Sequence, residues 1–352
     1  MNQVRFGVLG TGSVVRDFHL PALAANPRAK ILAIGNHQAA SLEPLARAFE
    51  VEKTYTDFDL MARDPEIDAV INALPNYLHA PVTISMLQCG KHVLCEKPMA
   101  TTVAQAQAMA AAADNARRKL MIAHVWRSNE EVQWLREIVR TGAIGTITKA
   151  RAHAIVVGRG PKLDSWFVRP EMSGGGALAD VGIHGIDTLS FLFDDRLNPV
   201  KVTARTANNE QPLDVEDTAC VTIEYDNGLV AKVEAGWYHA HAFDPHGAVE
   251  LFGTEGYART LPARVEYGDE NTLRREAPSS DSQQLHIDLP MYAAQLDHFL
   301  VCILEDRPPP CDGHQGVRNM TVLEAAYASA RSGSSVTYEG TGADHRYRAA
   351  TA

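Results

Sequence analysis

Cysteine is scarce and unpatterned in this chain. Its five cysteines, Cys89, Cys95, Cys220, Cys302 and Cys311, are odd in number and scattered, and none forms a C-x-x-C pair. That argues against a disulfide framework and against a structural zinc cage, and makes a reducing cytoplasm the simplest setting. No apolar stretch is long enough to span a bilayer. The first strand pattern begins almost at once, without a charged leader and apolar core, so no export signal is expected. An excess of positive charge is missing too. The formal net charge of −10 makes nucleic acid and anionic membrane poor partners for the chain as a whole. There is no internal repeat.

What is present is the composition of a globular protein, 45% hydrophobic and 22% charged, and 352 residues exceed one small core. Val4–Leu9 reads as a buried strand that breaks at Gly10-Thr11-Gly12. Further strand patterns follow at residues 30–34, 68–74, 92–95 and 120–123. Between them, helices are expected at 42–49 with Ser41 as N-cap, at 81–89 closed by Gly90, and over the alanine-rich stretch 102–118. This alternation predicts a parallel, doubly wound sheet in a first domain, residues 1–124.

Beyond residue 124 the rhythm changes. Partial alternation marks 148–157 and 200–206, and Asp226-Asn227-Gly228 separates strand patterns at 218–225 and 229–234, a strong hairpin signal. A largely antiparallel sheet is therefore expected, with a helix over 177–193 beside it and late helices over 291–305 and 316–331. The second domain is set at 125–340, followed by a polar, loosely held tail at 341–352. Its sheet has helices for one face only, so the other face is solvated or covered by another subunit; incomplete alternation at 219–223 and 229–231 favours cover, and a homodimer or homotetramer is expected.

The chemistry concentrates in a few segments. Gly10-Thr11-Gly12, continued by Ser13-Val14, follows the first strand, where a dinucleotide fold places the turn that cradles a pyrophosphate. The third glycine of that fingerprint is replaced by Val15. The acid that would hold a ribose 2′-hydroxyl is replaced by Gly35-Asn36-His37-Gln38. Loss of the carboxylate tilts the expectation from NAD toward NADP; Asn36 could serve a free ribose, and His37 could meet a phosphate or be a plain loop histidine. Leu74-Pro75-Asn76 with His79 follows the 68–74 strand and is positioned to line the cofactor cleft, with Asn76 alternatively a helix cap. Glu96-Lys97-Pro98 ends a short apolar run, and lysine rarely emerges from a core there unless its charge is used. Glu96 reads as a partner that orients or neutralises something nearby.

Downstream, Gly174-Gly175-Gly176 leads into Asp180, His184 and Asp187 on one helical stripe. The alternative is a satisfied buried histidine with capping aspartates. Asp180 and His184 could supply two metal ligands, but no third or fourth is evident, so no metal is expected.

These segments together resemble the glucose–fructose oxidoreductase/inositol dehydrogenase/MocA family. The resemblance rests on Gly10-x-Gly12, Pro75-Asn76-x-x-His79, the run Gly90 to Pro98 with Glu96-Lys97-Pro98, and Gly174-Gly175-Gly176-x-x-x-Asp180-x-Gly182-x-His184-x-x-Asp187. It covers nearly the whole chain. It implies an α/β architecture, an N-terminal Rossmann domain followed by a domain with an open, mostly antiparallel sheet. It also implies NAD(P)-dependent oxidation or reduction of sugars, cyclitols and related compounds. By position, Lys97 matches the family's catalytic lysine, Asp180 and His184 its downstream substrate and proton-transfer residues, and Arg127 a frequent arginine at the domain junction. Val15, Asn36 and Glu130, the last standing where many members have proline, depart from the pattern.

The mechanism expected on this basis places a polyol or sugar between nicotinamide and Lys97 with His184. His184 accepts the hydroxyl proton, Lys97 stabilises the alkoxide, and Asp180 orients the imidazole or a substrate hydroxyl. Which of Lys97 and His184 makes the primary transfer is open. Trp126, Trp166, Arg169, Trp237, Tyr238, His239 and His241 are candidate pocket walls, with core packing the competing role for those on strands. Two other classes compete: an NAD-dependent glycosidase or lyase that oxidises transiently, and a non-catalytic dinucleotide sensor.

Overall fold

Six short strands, most of whose residues are buried, build a wholly parallel sheet. They are β1 (Val4–Leu9), β2 (Ala29–Gly35), β3 (Lys53–Tyr55), β4 (Ala69–Asn72), β5 (His92–Glu96) and β6 (Leu120–Ala123), in the order β3-β2-β1-β4-β5-β6. That order has its switch point between β1 and β4. The connecting helices are α1 (Leu20–Ala25), α2 (Ala39–Ala48), α3 (Phe58–Arg63), α4 (His79–Gln88) and α5 (Val103–Ala116). Helix α5 starts where the Thr102 side chain accepts a hydrogen bond from the Gln105 N–H at 3.2 Å. The structure is a computed structural model that describes residues 3–157, 160–209, 211–239, 247–260, 262–268, 272–278, 287–339 and 346–349.

A second sheet has ten strands among the described residues. The helices of this part are α6 (Glu130–Thr141), α7 (Pro170–Ser173) and α8 (Ile183–Leu192). Its strands are β7 (Ile147–Val157), β8 (Pro199–Ala207), β9 (Thr218–Tyr225), β10 (Val230–His239), β11 (Gly247–Gly253), β12 (Gly256–Thr260), β13 (Ala263–Tyr267), β14 (Arg274–Glu276), β15 (Val336–Glu339) and β16 (Arg346–Ala349). Every pairing is antiparallel except β7 with β10. Strand β9 alternates fully: Ala219, Val221, Ile223 and Tyr225 are buried, and the residues between them are half-buried. The hairpin to β10 closes as expected, with Gly228 at φ +85° and the Asn227 side chain accepting from the Leu229 N–H at 3.1 Å.

The two compact units do not follow the chain linearly. One comprises Met1–Ser128 and Ile287–Met320, the other Asn129–His286 and Thr321–Ala352. Helix α9 (Leu289–Leu304) thus belongs with the first sheet, and helix α10 (Gly313–Ser332) is divided between the units. A single boundary is expected near residue 124, whereas residues 287–320 group with the first unit. The reason is apolar: Phe299 of α9 and Phe6 of β1 are fully buried with ring centroids 6.3 Å apart. Each such ring contributes about 1.5–3 kcal/mol.

Other differences are local. Ser41 lies inside α2, which starts after Gln38, and its hydroxyl donates to the Gln38 carbonyl at 2.7 Å instead of capping. The segment expected as a loose tail contains β16, and the remaining residues beyond 339 lie outside the described ones. Among the described residues no helix is long and apolar enough to cross a membrane.

Candidate active site

Parallel strands end level at one sheet edge, which is where the cofactor residues gather. Leu9 pairs with Gly35 and with Asn72, and Asn72 with Cys95, so the turns after β1, β2, β4 and β5 share that edge. Gly10 has φ +104°, and a Cβ there would lie 2.4 Å from the Ala73 carbonyl oxygen, so only glycine fits between the β1 and β4 turns. Around Gly12, by contrast, a Cβ would meet nothing within 4 Å. The helical turn Val15–His19 begins there with no side chain capping its start. Open space at Gly12 and an uncapped helix start fit a dinucleotide pyrophosphate held by Thr11, Gly12, Ser13 and Val14. Val15, in place of the third glycine, is fully buried in the core of this unit.

At the end of β2 a neutral cluster replaces the missing carboxylate. The Asn36 amide donates to Thr11 Oγ1 at 2.5 Å and to Ser41 Oγ at 3.0 Å, and the Thr11 hydroxyl donates to Ser41 at 3.2 Å. His37 is exposed, its ring 4.3 Å from that of Phe58. Ser41 escaped the sequence reading because a serine at a helix start reads first as a cap.

Leu74, Pro75 and Asn76 form the β4 turn, with Leu74 and Asn76 buried. His79 is buried, and both ring nitrogens face main-chain carbonyls: Nδ1 lies 2.8 Å from Pro98 O and Nε2 lies 2.8 Å from Leu74 O. Burial lowers its pKa, against the pull of both carbonyls. The ring therefore ties the β4 turn to the Lys97-Pro98 turn.

Glu96 is also turned inward. Its carboxylate lies 2.8 Å from His19 Nε2, accepts from the Tyr292 hydroxyl at 3.4 Å and from the Lys97 N–H at 3.2 Å. The Tyr292 ring stacks on Phe18, centroids 4.8 Å apart. Burial pushes the Glu96 carboxyl up, but the His19 hydrogen bond with the charges of His19 and Lys97 leaves its pKa below the ordinary value. Lys97 itself is half-buried at the end of β5. Trp126 and Arg127 are buried in the same unit, and the Arg127 guanidinium donates to the Pro310 carbonyl at 2.6 Å. That bond anchors the last residue of the run Pro308-Pro309-Pro310.

In the second unit, Asp180 and His184 sit one helical turn apart, Asp180 half-buried and His184 buried at the start of α8. The Trp237 indole N–H donates to Asp180 Oδ2 at 3.0 Å. Asp180 and Trp237 line a cavity of about 440 Å³ with Lys162, Ser165, Trp166 and Phe167. That volume suits a small-molecule ligand. Trp166 and Phe167 stack with ring centroids 3.9 Å apart. Arg169 is exposed, His241 lies outside the described residues, and so do the side chains of Tyr238 and His239.

A dinucleotide-type edge of a parallel sheet with a lysine just beyond it and, in the second unit, a carboxylate in an aromatic cavity fit a nicotinamide-nucleotide oxidoreductase. Residues 4–124 match an oxidoreductase family with an NAD-binding Rossmann fold, GFO/IDH/MocA, and residues 132–259 match the GFO/IDH/MocA C-terminal domain. The chain belongs to the Gfo/Idh/MocA oxidoreductase family. It is 28% identical over 343 residues to the D-xylose 1-dehydrogenase (NADP+) of Haloarcula marismortui, covering 95% of this chain and 93% of that protein. Over 340 residues it is 27% identical to the 1,5-anhydro-D-fructose reductase of Ensifer adhaerens, covering 95% and 98%. The crystal structure of an aldose-aldose oxidoreductase from Caulobacter crescentus, complexed with glycerol, matches with a TM-score of 0.82 at 26% identity, covering 95% and 99%.

Proposed function

We propose that the protein is a dehydrogenase or reductase that moves a hydride between a nicotinamide dinucleotide and a sugar or related polyol. The observation that carries this reading is the cavity in which Asp180, held by Trp237, stands with Trp166 and Phe167. A sugar ring has an apolar C–H face and a rim of hydroxyls, and aromatic rings suit the first as a carboxylate suits the second. The sugar substrates named for the Haloarcula and Ensifer enzymes support it. When bound, the nicotinamide supplies the hydride acceptor or donor. Lys97, as a cation, stabilises the developing alkoxide. His184 takes or returns the hydroxyl proton, and Asp180 orients the imidazole or a neighbouring hydroxyl. The test is absorbance at the nicotinamide band with aldoses, inositols and keto-sugars, each with both cofactors. Turnover of at least one sugar supports the reading, and none across the panel contradicts it.

Selection between cofactors falls to Asn36, Thr11 and Ser41, whose neutral cluster leaves no carboxylate to repel a 2′-phosphate; we favour NADP. Asn36→Asp is expected to shift the ratio of dissociation constants toward NAD by about tenfold or more, through like-charge repulsion of the phosphate. Fluorescence titration of both cofactors reads it, and an unchanged ratio removes this cluster from the discrimination.

The enzyme works as a homo-oligomer joined through the second sheet. The face of β9 opposite the core carries half-buried Cys220 and Thr222 beside a Lys201–Glu224 pair at 2.7 Å. Light scattering after size-exclusion chromatography should give at least twice the chain mass of 38.3 kDa. A monomer mass at micromolar concentration contradicts it. The thiols Cys89, Cys95, Cys220 and Cys302, none in a disulfide, suit a cytoplasmic enzyme.

A further inference from the structure

A helix leaves its first N–H groups without partners inside the helix. In the segment that carries Asp180, three successive N–H groups go to one residue, Glu216. Gly176 N–H donates to Glu216 Oε2 at 3.0 Å, Ala177 N–H to the Glu216 main-chain oxygen at 2.9 Å, and Leu178 N–H to Oε1 at 2.9 Å. The Tyr327 hydroxyl donates to Oε1 at 2.8 Å. Glu216 is only 9% exposed. The glycine run is what lets the chain seat here. A Cβ on Gly176 would lie 1.9 Å from the Glu216 oxygen, and one on Gly175 would lie 2.0 Å from the Tyr327 hydroxyl.

From this seat two paths lead to Asp180. Its own N–H closes on the Gly176 carbonyl at 2.9 Å. Its carboxylate is held by the Trp237 indole, and the Trp237 main-chain N–H donates to the carbonyl of Asp217, the residue after Glu216, at 2.8 Å. Both the main chain and the carboxylate of Asp180 thus trace back to one dipeptide, Glu216-Asp217.

We propose that Glu216, with Tyr327, is a positioning residue that sets where Asp180 presents its carboxylate in the cavity. This rests on the assignment of Asp180 to the reaction. Burial pushes the Glu216 carboxyl up in pKa, and the hydrogen bonds it receives work the other way. A carboxylate can accept on both oxygens, whereas glutamine must turn its amide N–H group against one of those donors. The helix start then shifts, and a misplacement of about 1 Å costs on the order of a hundredfold in rate.

The test is a double-mutant cycle in the full chain, using Glu216→Gln, Asp180→Ala and the two combined. It reads kcat and KM for a sugar that is turned over, and the dissociation constant of the cofactor. Glu216→Gln is expected to lower kcat about tenfold to a hundredfold and to leave the cofactor dissociation constant within about twofold. When Asp180 is already alanine, the same change should lower kcat by less than about threefold. An equal loss in both backgrounds overturns the proposal, because a generally weakened fold acts whether or not Asp180 is present. Wild-type kcat in Glu216→Gln also overturns it. If Glu216→Gln does not fold, Tyr327→Phe takes its place, with an expected loss of about threefold to tenfold that disappears in the Asp180→Ala background. Asp180→Ala at the wild-type rate would instead remove Asp180 from the reaction and the proposal with it.

Discussion

Lys97→Ala is expected to lower turnover by about a hundredfold or more and to leave the cofactor dissociation constant within about twofold. Lys97 directly follows β5, at the edge where β1, β2 and β4 also end. Its main chain is pinned on both sides: its N–H bonds to the Glu96 carboxylate at 3.2 Å, and the next carbonyl, that of Pro98, lies 2.8 Å from the His79 ring. A lysine on so fixed a stem offers a positioned cation, and the expected loss is that of an electrostatic or proton-transfer group. Lys97→Met keeps the apolar stem and should lose as much, which would assign the loss to the ammonium. Steady-state absorbance with nucleotide fluorescence measures both quantities. Turnover near wild type in either variant contradicts the mechanism.

The second large effect is on stability. Glu96→Ala removes one partner of the buried His19–Glu96 pair and a hydrogen-bond acceptor of Tyr292. The change leaves the buried His19 ring nitrogen and the Tyr292 hydroxyl without their acceptor, which costs about 1–3 kcal/mol, roughly 2–12 °C in the melting of a unit this size. Its pH dependence follows from the depressed Glu96 pKa. A carboxyl whose folded pKa lies below its unfolded value stabilises the fold above the unfolded value. That stabilisation is lost as pH falls through the folded one. The gap between wild type and Glu96→Ala should therefore be full at neutral pH and narrow as pH drops below about 4.5, the ordinary value. Melting by circular dichroism across that range reads it. A gap under about 2 °C at neutral pH would show that the pair does not hold the unit together.

Much of the architecture is legible because local pattern and tertiary burial agree. Thr218–Tyr225 alternates in sequence and alternates in burial, and Asn227-Gly228 supplies the turn between the strands it joins. The parallel strands read as apolar runs for the reason that both their faces are covered. Helix α6 escaped notice since charged residues dominate its surface and only Val132 and Leu135 are fully buried apolar residues. Its cap, the Asn129 side chain accepting from the Val132 N–H at 2.9 Å, was the available signal. Strand β3, Lys53–Tyr55, is too short to show a period.

The candidate site was legible as motifs, not as contacts. Glu96 was readable as a partner for something, but its partners lie 77 and 196 residues away, at His19 and Tyr292. Tyr327 meets Glu216 across 111 residues. No local pattern encodes such pairings. The glycine run Gly174-Gly175-Gly176 was visible, yet the close approach it serves is to the distant Glu216 main-chain carbonyl and Tyr327 hydroxyl.

The most direct test of the central claim follows the reacting hydrogen. A sugar that is turned over is prepared with deuterium at the carbon to be oxidised and incubated with the oxidised cofactor. Hydride transfer predicts deuterium at the nicotinamide C4 and one oxidised sugar for each reduced nicotinamide. Bond cleavage or elimination of the sugar, with no net accumulation of reduced nicotinamide, would contradict it.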